Sequence, residues 1–390
     1  MVKPSSEPQM PDPQPPPLRR TPLTAIHQGL GAIMTEFAGW LMPLRYGSET
    51  AEHNAVRKAA GLFDLSHMGE LMVTGQGAAA ALDYALVGAA SAIKPGRARY
   101  TMICAPDGGV IDDLIVYRLA DSQYLVVANA SNAAVVAAEL AARADGRGAE
   151  VRDRTANYAL IAVQGPQAAA IVARLTSTDL DQVRYYASYQ ATVAGSQALL
   201  ARTGYTGEDG FEIFVGPPDA VPLWQALTEA GRGHGLVPAG LAARDSLRLE
   251  AGMALYGNEL GRDVTPYDAG LGRVVKLDKP GDFVGRAALA ERARAAPTRV
   301  LVGLAGQTRR VPRHGYPVLW NGERCGTVTS GAPSPTLGRP IAMAYMTAEI
   351  AAAARSATGA GDGRLAVDIR GSAEPAELVP LPFYQRPAPS

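Results

Sequence analysis

Apolar positions along this chain recur in two rhythms, and the change from one to the other marks its elements. Short runs rich in Val, Ile and aromatic residues, bounded by Gly, Pro, Asn or Asp, predict strands at 70–74, 97–102, 110–117, 123–128, 158–164, 189–193, 198–202 and 211–215. Helical patterns cover 23–27, 49–58, 133–144, 167–175, 217–231, 241–250 and 283–294, and an Ala-rich helix follows residue 77. Residues 105–109 form a turn, so 97–102 and 110–117 read as a hairpin. Strand, helix, three strands and a helix in succession predict an α+β sandwich with a largely antiparallel sheet. Residues 37–44 read as an apolar strand or loop, 145–155 as a polar connection and 257–273 as a loop. A boundary falls at 295–298. Beyond it, strands at 299–304, 316–320, 324–330, 341–346 and 365–369 predict an all-β domain, barrel or jelly-roll-like, with 351–363 a flexible connection.

Composition narrows the class. A chain of 390 residues is long enough for two or three cores. Lys plus Arg equals Asp plus Glu at 37 each, so no global field draws the chain to nucleic acid or an anionic membrane surface. Two distant cysteines exclude a disulfide framework and fit a reducing cytoplasm, and five histidines show no metal-ligand spacing. No apolar run reaches the ~18–20 residues of a membrane span. Residues 1–20, rich in Pro, Ser and Gln, read as a disordered tail, with the folded body starting near Thr21. Gly75-Gln76-Gly77 imitates a dinucleotide fingerprint, but residues 92–96 form a turn where the acid-tipped second strand is required.

Five places carry candidate chemistry. Asp112 and Asp113 interrupt the strand after Gly108-Gly109. Side chains of a strand alternate faces, so one of the two acids turns inward. It caps the turn, or it sits beside a cationic or NH-bearing substrate. Asn129, where a strand meets a helix start, is a helix cap or reads the polar edge of a ring. Gly204, Gly207 and Gly210 imply close approach to the main chain, and Glu212 follows on the face opposite Phe211 and Ile213, as a ligand group or a solvated edge. Arg244 is either a surface partner of Asp245 or a fork for a carboxylate. His67 is a catalytic base or a hydrogen-bonded structural histidine, and the absence of a nucleophile or metal partner nearby favours the second.

Six motifs in order go further. Phe37-Ala38-Gly39-Trp40-x-Met42-Pro43-Leu44, Phe63-Asp64-x-Ser66-His67-Met68-Gly69-Glu70 and Gly109-x-Ile111-Asp112-Asp113 come first. Gly204-Tyr205-Thr206-Gly207-Glu208-Asp209-Gly210-x-Glu212, Gly240-Leu241-x-Ala243-Arg244-Asp245-x-x-Arg248-Leu249-Glu250 and Thr329-Ser330-Gly331-x-x-Ser334-Pro335-Thr336 follow. Together they closely resemble the T-protein family of the glycine cleavage system, over roughly residues 21–386. The resemblance implies a three-domain cloverleaf around a central tetrahydrofolate site. Its domains are a split α+β domain (21–65 and 153–294), a second α+β domain (66–152) and a C-terminal barrel-like domain (295–390). It implies a cytoplasmic, metal-free aminomethyltransferase. That enzyme takes the aminomethyl group from the lipoyl arm of H-protein, associates transiently with the other glycine cleavage components, and yields 5,10-methylenetetrahydrofolate, ammonia and dihydrolipoyl H-protein. By motif, Asp113 matches the catalytic carboxylate. Tyr100, Asn129, Tyr205, Glu212 and Arg244 match folate contacts, Met68 lines the pocket, and Arg386 matches a further contact. Two alternatives share the scaffold: a folate-dependent demethylase, and a folate-binding iron–sulfur assembly module. Relatives of the second kind carry a cysteine motif that is absent from residues 202–207 here.

Overall fold

The computed structural model describes residues 17–356 and 364–387. The chain begins with β1 (Arg19–Arg20), α1 (Thr24–Gly29) and the hairpin of β2 (Ile33–Phe37) and β3 (Trp40–Arg45). β1 takes the last two residues of the expected tail into the fold, just ahead of the expected start near Thr21. Its two arginines have no strand signal of their own, but they pair in parallel with Trp40 and Leu41, and the Arg19 guanidinium stacks 4.4 Å from the Trp40 ring centroid. The first sixteen residues of the expected tail lie outside the described part. α2 (Glu49–Lys58) has the predicted bounds: Ser48 caps it by accepting from Ala51 N, with acids in the first turn and bases in the last. β4 (Ala60–Asp64) follows, buried along its whole length. An all-buried strand has no alternation to read, which is why Ala60 and Gly61 gave no strand signal.

The next unit is a five-stranded sheet. β5 (Gly69–Thr74), α3 (Ala78–Ala85), β6 (Arg97–Cys104), β7 (Val110–Ala120), β8 (Gln123–Ala128), α4 (Ala133–Ala144) and β9 (Glu150–Asp153) follow in sequence. The strand order is β6-β7-β8-β5-β9, antiparallel throughout. α3 and α4 cover one face, where Leu71, Leu82, Leu114, Val116, Val126 and Leu140 are buried together. β9 lies inside the stretch expected to be a polar connection; it is a short, mostly exposed edge and offers no apolar pattern. The Gly75-x-Gly77 motif serves packing. Gly77 N donates to Gly148 O, and a Cβ at Gly77 would overlap the Arg147 carbonyl.

A six-stranded sheet comes next, from β10 (Ala159–Gln164), α5 (Ala168–Ala173), β11 (Ser188–Val193), β12 (Ser196–Ala201), β13 (Gly210–Val215), α6 (Ala220–Gly231), β14 (Leu236–Pro238) and α7 (Leu241–Glu250). Its order, β11-β12-β13-β10-β4-β14, recruits β4 from the start of the chain. α5 and α6 pack on one face around Ile161, Ile171, Phe211, Ile213, Leu223 and Trp224. From the other face, Phe63, Leu160 and Phe214 meet Tyr117, Leu125 and Val127 of the five-stranded sheet, with Ala243 and Leu247 of α7 in the same core. The two sheets therefore face each other.

After α8 (Arg286–Arg294) the chain forms β15 (Arg299–Gly306), β16 (Pro317–Trp320), β17 (Glu323–Ser334), β18 (Arg339–Thr347), α9 (Ala348–Ser356), β19 (Leu365–Ile369) and β20 (Ser372–Val379). These six strands close into a barrel in the order β15-β18-β17-β16-β19-β20. α9 corrects the flexible connection expected from 351: alanines favour helix, and Ala351 is buried in the barrel core. Residues 357–363 lie outside the described part. Leu249 of α7 packs on Ala332, Ile341 and Met343, which seats the barrel against the six-stranded sheet. No described helix is long and apolar enough to cross a membrane.

One buried group carries a stability prediction. Glu70 on β5 is 1% exposed, neither carboxyl oxygen has a hydrogen-bond partner, and burial followed by the charge of Asp153 raises its pKa well above the usual range. A raised acid binds more protons folded than unfolded, so stability falls as pH rises from the unfolded value near ~4.3, by up to about 1.4 kcal/mol per pH unit. Glu70→Gln is expected to remove that slope, read as a smaller difference in urea midpoint between pH 5 and pH 8 than in the wild type.

Candidate active site

A cavity of about 1400 Å³ opens where the two sheets, the 251–258 loop and the barrel converge. Asp113 stands in its wall, and the strand geometry explains how. The β6–β7 register slips between Ile103 and Cys104, leaving Ile111 as an extra residue just before the two acids. Asp112 and Asp113 then alternate faces. Asp112 is fully buried and accepts from Asn129 N (3.0 Å), Asn129 Nδ2 (2.9 Å) and Asn132 Nδ2 (2.9 Å). Asp113 faces the cavity and accepts from Tyr100 Oη (3.0 Å) and Asn129 Nδ2 (2.8 Å). Both acids thus leave bulk water, one into the fold's own interior and one into the site.

Their electrostatics differ in the same way. Burial, then the neighbouring Asp113 charge, pushes Asp112 up to about 7 against its three N–H donors. Burial raises Asp113 as well, while Tyr100 and Asn129 pull it back by hydrogen-bonding the ionised form. Asn129 is the bridge between them. It is not the cap of α4, a position taken by Asn132.

On the facing sheet, Glu212 Oε2 accepts from Thr203 Oγ1 (2.5 Å) and Tyr117 Oη (3.1 Å). It has hydroxyl partners and no cation among the described residues. The glycines before it serve a neighbouring side chain: a Cβ at Gly204 or Gly210 would overlap the Gln164 amide, and only Gly207 has a positive φ, +81°. Gln164 is therefore what approaches the main chain there; its Nε2 donates to Thr203 O (3.0 Å) and its Oε1 accepts from Thr206 Oγ1 (2.9 Å). Arg244 lies 4.8 Å from the centroid of the Tyr205 ring, and Tyr205 Oη donates to Ala254 O (2.5 Å). The expected surface partner of Arg244 is engaged elsewhere: Asp245 accepts from Arg248 at 2.8 Å. Among the described residues, the Arg244 guanidinium has no carboxylate partner, and burial lowers its pKa. A cation without a carboxylate partner and a carboxylate without a cation partner in one cavity suit a ligand with both polarities.

Two sequence profiles match this chain. The GCVT N-terminal domain spans residues 23–279, and the glycine cleavage T-protein C-terminal barrel domain spans residues 299–385. The chain belongs to the glycine cleavage T-protein family. It is 65% identical to an aminomethyltransferase of Streptomyces coelicolor over 95% of this chain and 98% of that one. It is 43% identical to an aminomethyltransferase of Geobacillus kaustophilus over 95% and 99%. The crystal structure of glycine cleavage system aminomethyltransferase T from Bartonella henselae superposes with a TM-score of 0.86 at 38% identity, covering 94% and 98% of the two chains.

Of the residues that the T-protein motifs single out, Met68, Tyr100, Asp113, Asn129, Tyr205, Glu212 and Arg244 all line the one cavity. Arg386 does not line it. Its guanidinium sits 3.6 Å from Asp209 and 5.8 Å from the Tyr185 ring centroid, at the outer end of the glycine loop. His67 also lines the cavity, which corrects its reading as a hydrogen-bonded histidine. Nδ1 has no partner, the ring packs edge-on against Phe37 at 5.5 Å, and burial with the Arg244 charge lowers its pKa to about 4. It is neutral at physiological pH. Tyr117 and Thr203, which hold Glu212, were not foreseen. The signal for Tyr117 was available in the period-2 spacing that places it on the Asp113 face of β7.

Proposed function

We propose that this chain is the cytoplasmic aminomethyltransferase of a glycine cleavage system and that the cavity binds tetrahydrofolate and receives the aminomethyl-lipoyl arm of H-protein. The observation that carries the reading is Asp113: a carboxylate in the cavity wall, held by Tyr100 and Asn129, its pKa raised by burial. The residues suit the ligand. Glu212 accepts the NH edge of a pterin, Tyr100 and Tyr205 cover the ring, Met68 packs against it, and Arg244 takes a carboxylate of the glutamyl tail. Asn129 orients Asp113. In domain terms, residues 21–65 and 153–294 supply Glu212 and Arg244, residues 66–152 supply Asp113, and residues 295–390 close the cavity.

Tetrahydrofolate supplies the amine nitrogens that accept one carbon. The chain's own contribution is positional and electrostatic. Asp113 holds the attacking amine in line, accepts the proton it loses and stabilises the positive charge that develops beside it. The deciding assay is ammonia release from aminomethyl-lipoyl H-protein with and without tetrahydrofolate. Stimulation by folate together with methylenetetrahydrofolate formation is expected; release that ignores folate overturns the reading.

A further inference from the structure

Glu250, the last residue of α7, is a fully buried carboxylate with partners on separate parts of the molecule. Its Oε2 lies 3.1 Å from His53 Nε2 and accepts from Arg57 Nε and Nη2 (3.0 Å each) and from Thr336 Oγ1 (2.7 Å). Its Oε1 accepts from Ser334 Oγ (2.5 Å) and Thr336 N (3.2 Å). His53 and Arg57 belong to α2, while Ser334 and Thr336 belong to the barrel, at the end of β17 and in the turn after it. Arg57 carries the network on. Its Nη1 donates to Thr206 O (2.7 Å) and Glu208 Oε1 (2.9 Å), and the Tyr384 ring covers its guanidinium at 4.1 Å.

The position of this cluster matters more than its charge. Thr206 directly follows Tyr205, and Ala251 through Tyr256, which directly follow Glu250, line the cavity. One carboxylate therefore anchors the end of α7, from which one cavity wall begins, and through Arg57 the loop that carries Tyr205. The barrel grips that carboxylate through two hydroxyls and one backbone N–H. Fully satisfied networks of this kind have one favoured arrangement, and loss of one member leaves buried charge short of a donor.

We propose that Glu250, Arg57 and Thr336 are positioning residues that couple the seating of the barrel to the geometry of the ligand cavity. The proposal rests on the folate reading above for its functional consequence, but its structural core is testable without ligand. Thr336→Val in the full chain deletes one barrel-side donor at nearly constant volume. Hydrogen exchange across residues 203–210 of the ligand-free protein is expected to accelerate, and the Kd for tetrahydrofolate to rise about 3- to 30-fold. Thr336→Ser restores the hydroxyl and should restore both readouts. Val318→Ala, in the barrel core and itself outside the cavity lining, should lower the melting temperature and move neither. Wild-type exchange across 203–210 in Thr336→Val, or both changes reproduced by Val318→Ala, overturns the coupling. A wild-type protein that does not bind tetrahydrofolate overturns the folate reading instead, and the exchange result then decides the coupling by itself.

Discussion

Asp113→Asn is expected to lower kcat by about 10²–10⁴ while leaving the melting temperature close to wild type, the size of effect that loss of a positioned proton acceptor produces. The amide keeps the shape and can still meet Tyr100 and Asn129, both of which hydrogen-bond the present carboxylate. What it loses is the capacity to take a proton and to face a developing positive charge. The pH profile gives an independent check. Only the ionised carboxylate accepts a proton, so activity falls on the acid side. Burial raises the Asp113 pKa and places that limb above the ~3.9 of an ordinary aspartate. The limb should vanish from the residual activity of the variant. Turnover near wild type in Asp113→Asn would remove this side chain from the chemistry.

Arg244→Met is expected to weaken tetrahydrofolate binding by about 2–5 kcal/mol, the loss seen when one partner of a desolvated charge pair is truncated, while leaving the fold as stable as before or more so. The two halves of this prediction have one cause. In the ligand-free protein the guanidinium has the Tyr205 ring beneath it and no carboxylate partner among the described residues, so the charges of Glu212 and Asp245 offset its desolvation only in part. Methionine keeps an apolar stem over the tyrosine and removes the charge. Titration calorimetry with tetrahydrofolate and thermal unfolding of the same samples test both halves. A variant that unfolds earlier and binds normally would make Arg244 a structural arginine.

The contrast between these two residues extends to the rest of the site. The pair Asp112–Asp113 was legible because strand alternation forces two consecutive acids to opposite faces, whatever the remainder of the chain does; the choice of Asp113 between them came from the motif resemblance. Glu212 stood out as the polar member of an otherwise apolar strand, but alternation alone left it open between a ligand group and a solvated edge. Arg244 was ambiguous, because its alternative partner Asp245 is its sequence neighbour, and only the α7 turn that pairs Asp245 with Arg248 removes it. His67 was misjudged, and the group that approaches the glycine loop was not identifiable, for one reason. Their surroundings, Phe37 for the histidine and Gln164 for Gly204 and Gly210, come from distant strands.

The pattern of residues alone determined the elements whose signals are local: α2 and α4 with their bounds, the β6–β7 hairpin, the barrel's separate run of strands, and the pair of acids that must part company. Periodicity and turn chemistry act over a few residues, and no distant contact is needed to read them. The tertiary structure decided which faces meet. It placed β1 and β9 as edges, took the fully buried β4 between β10 and β14, and turned the inner faces of two sheets toward one cavity. It also decided that Asp112 supports the fold while Asp113 serves the site. Those outcomes depend on contacts between residues far apart in the chain, where burial and charge are set by the partner and not by the neighbour.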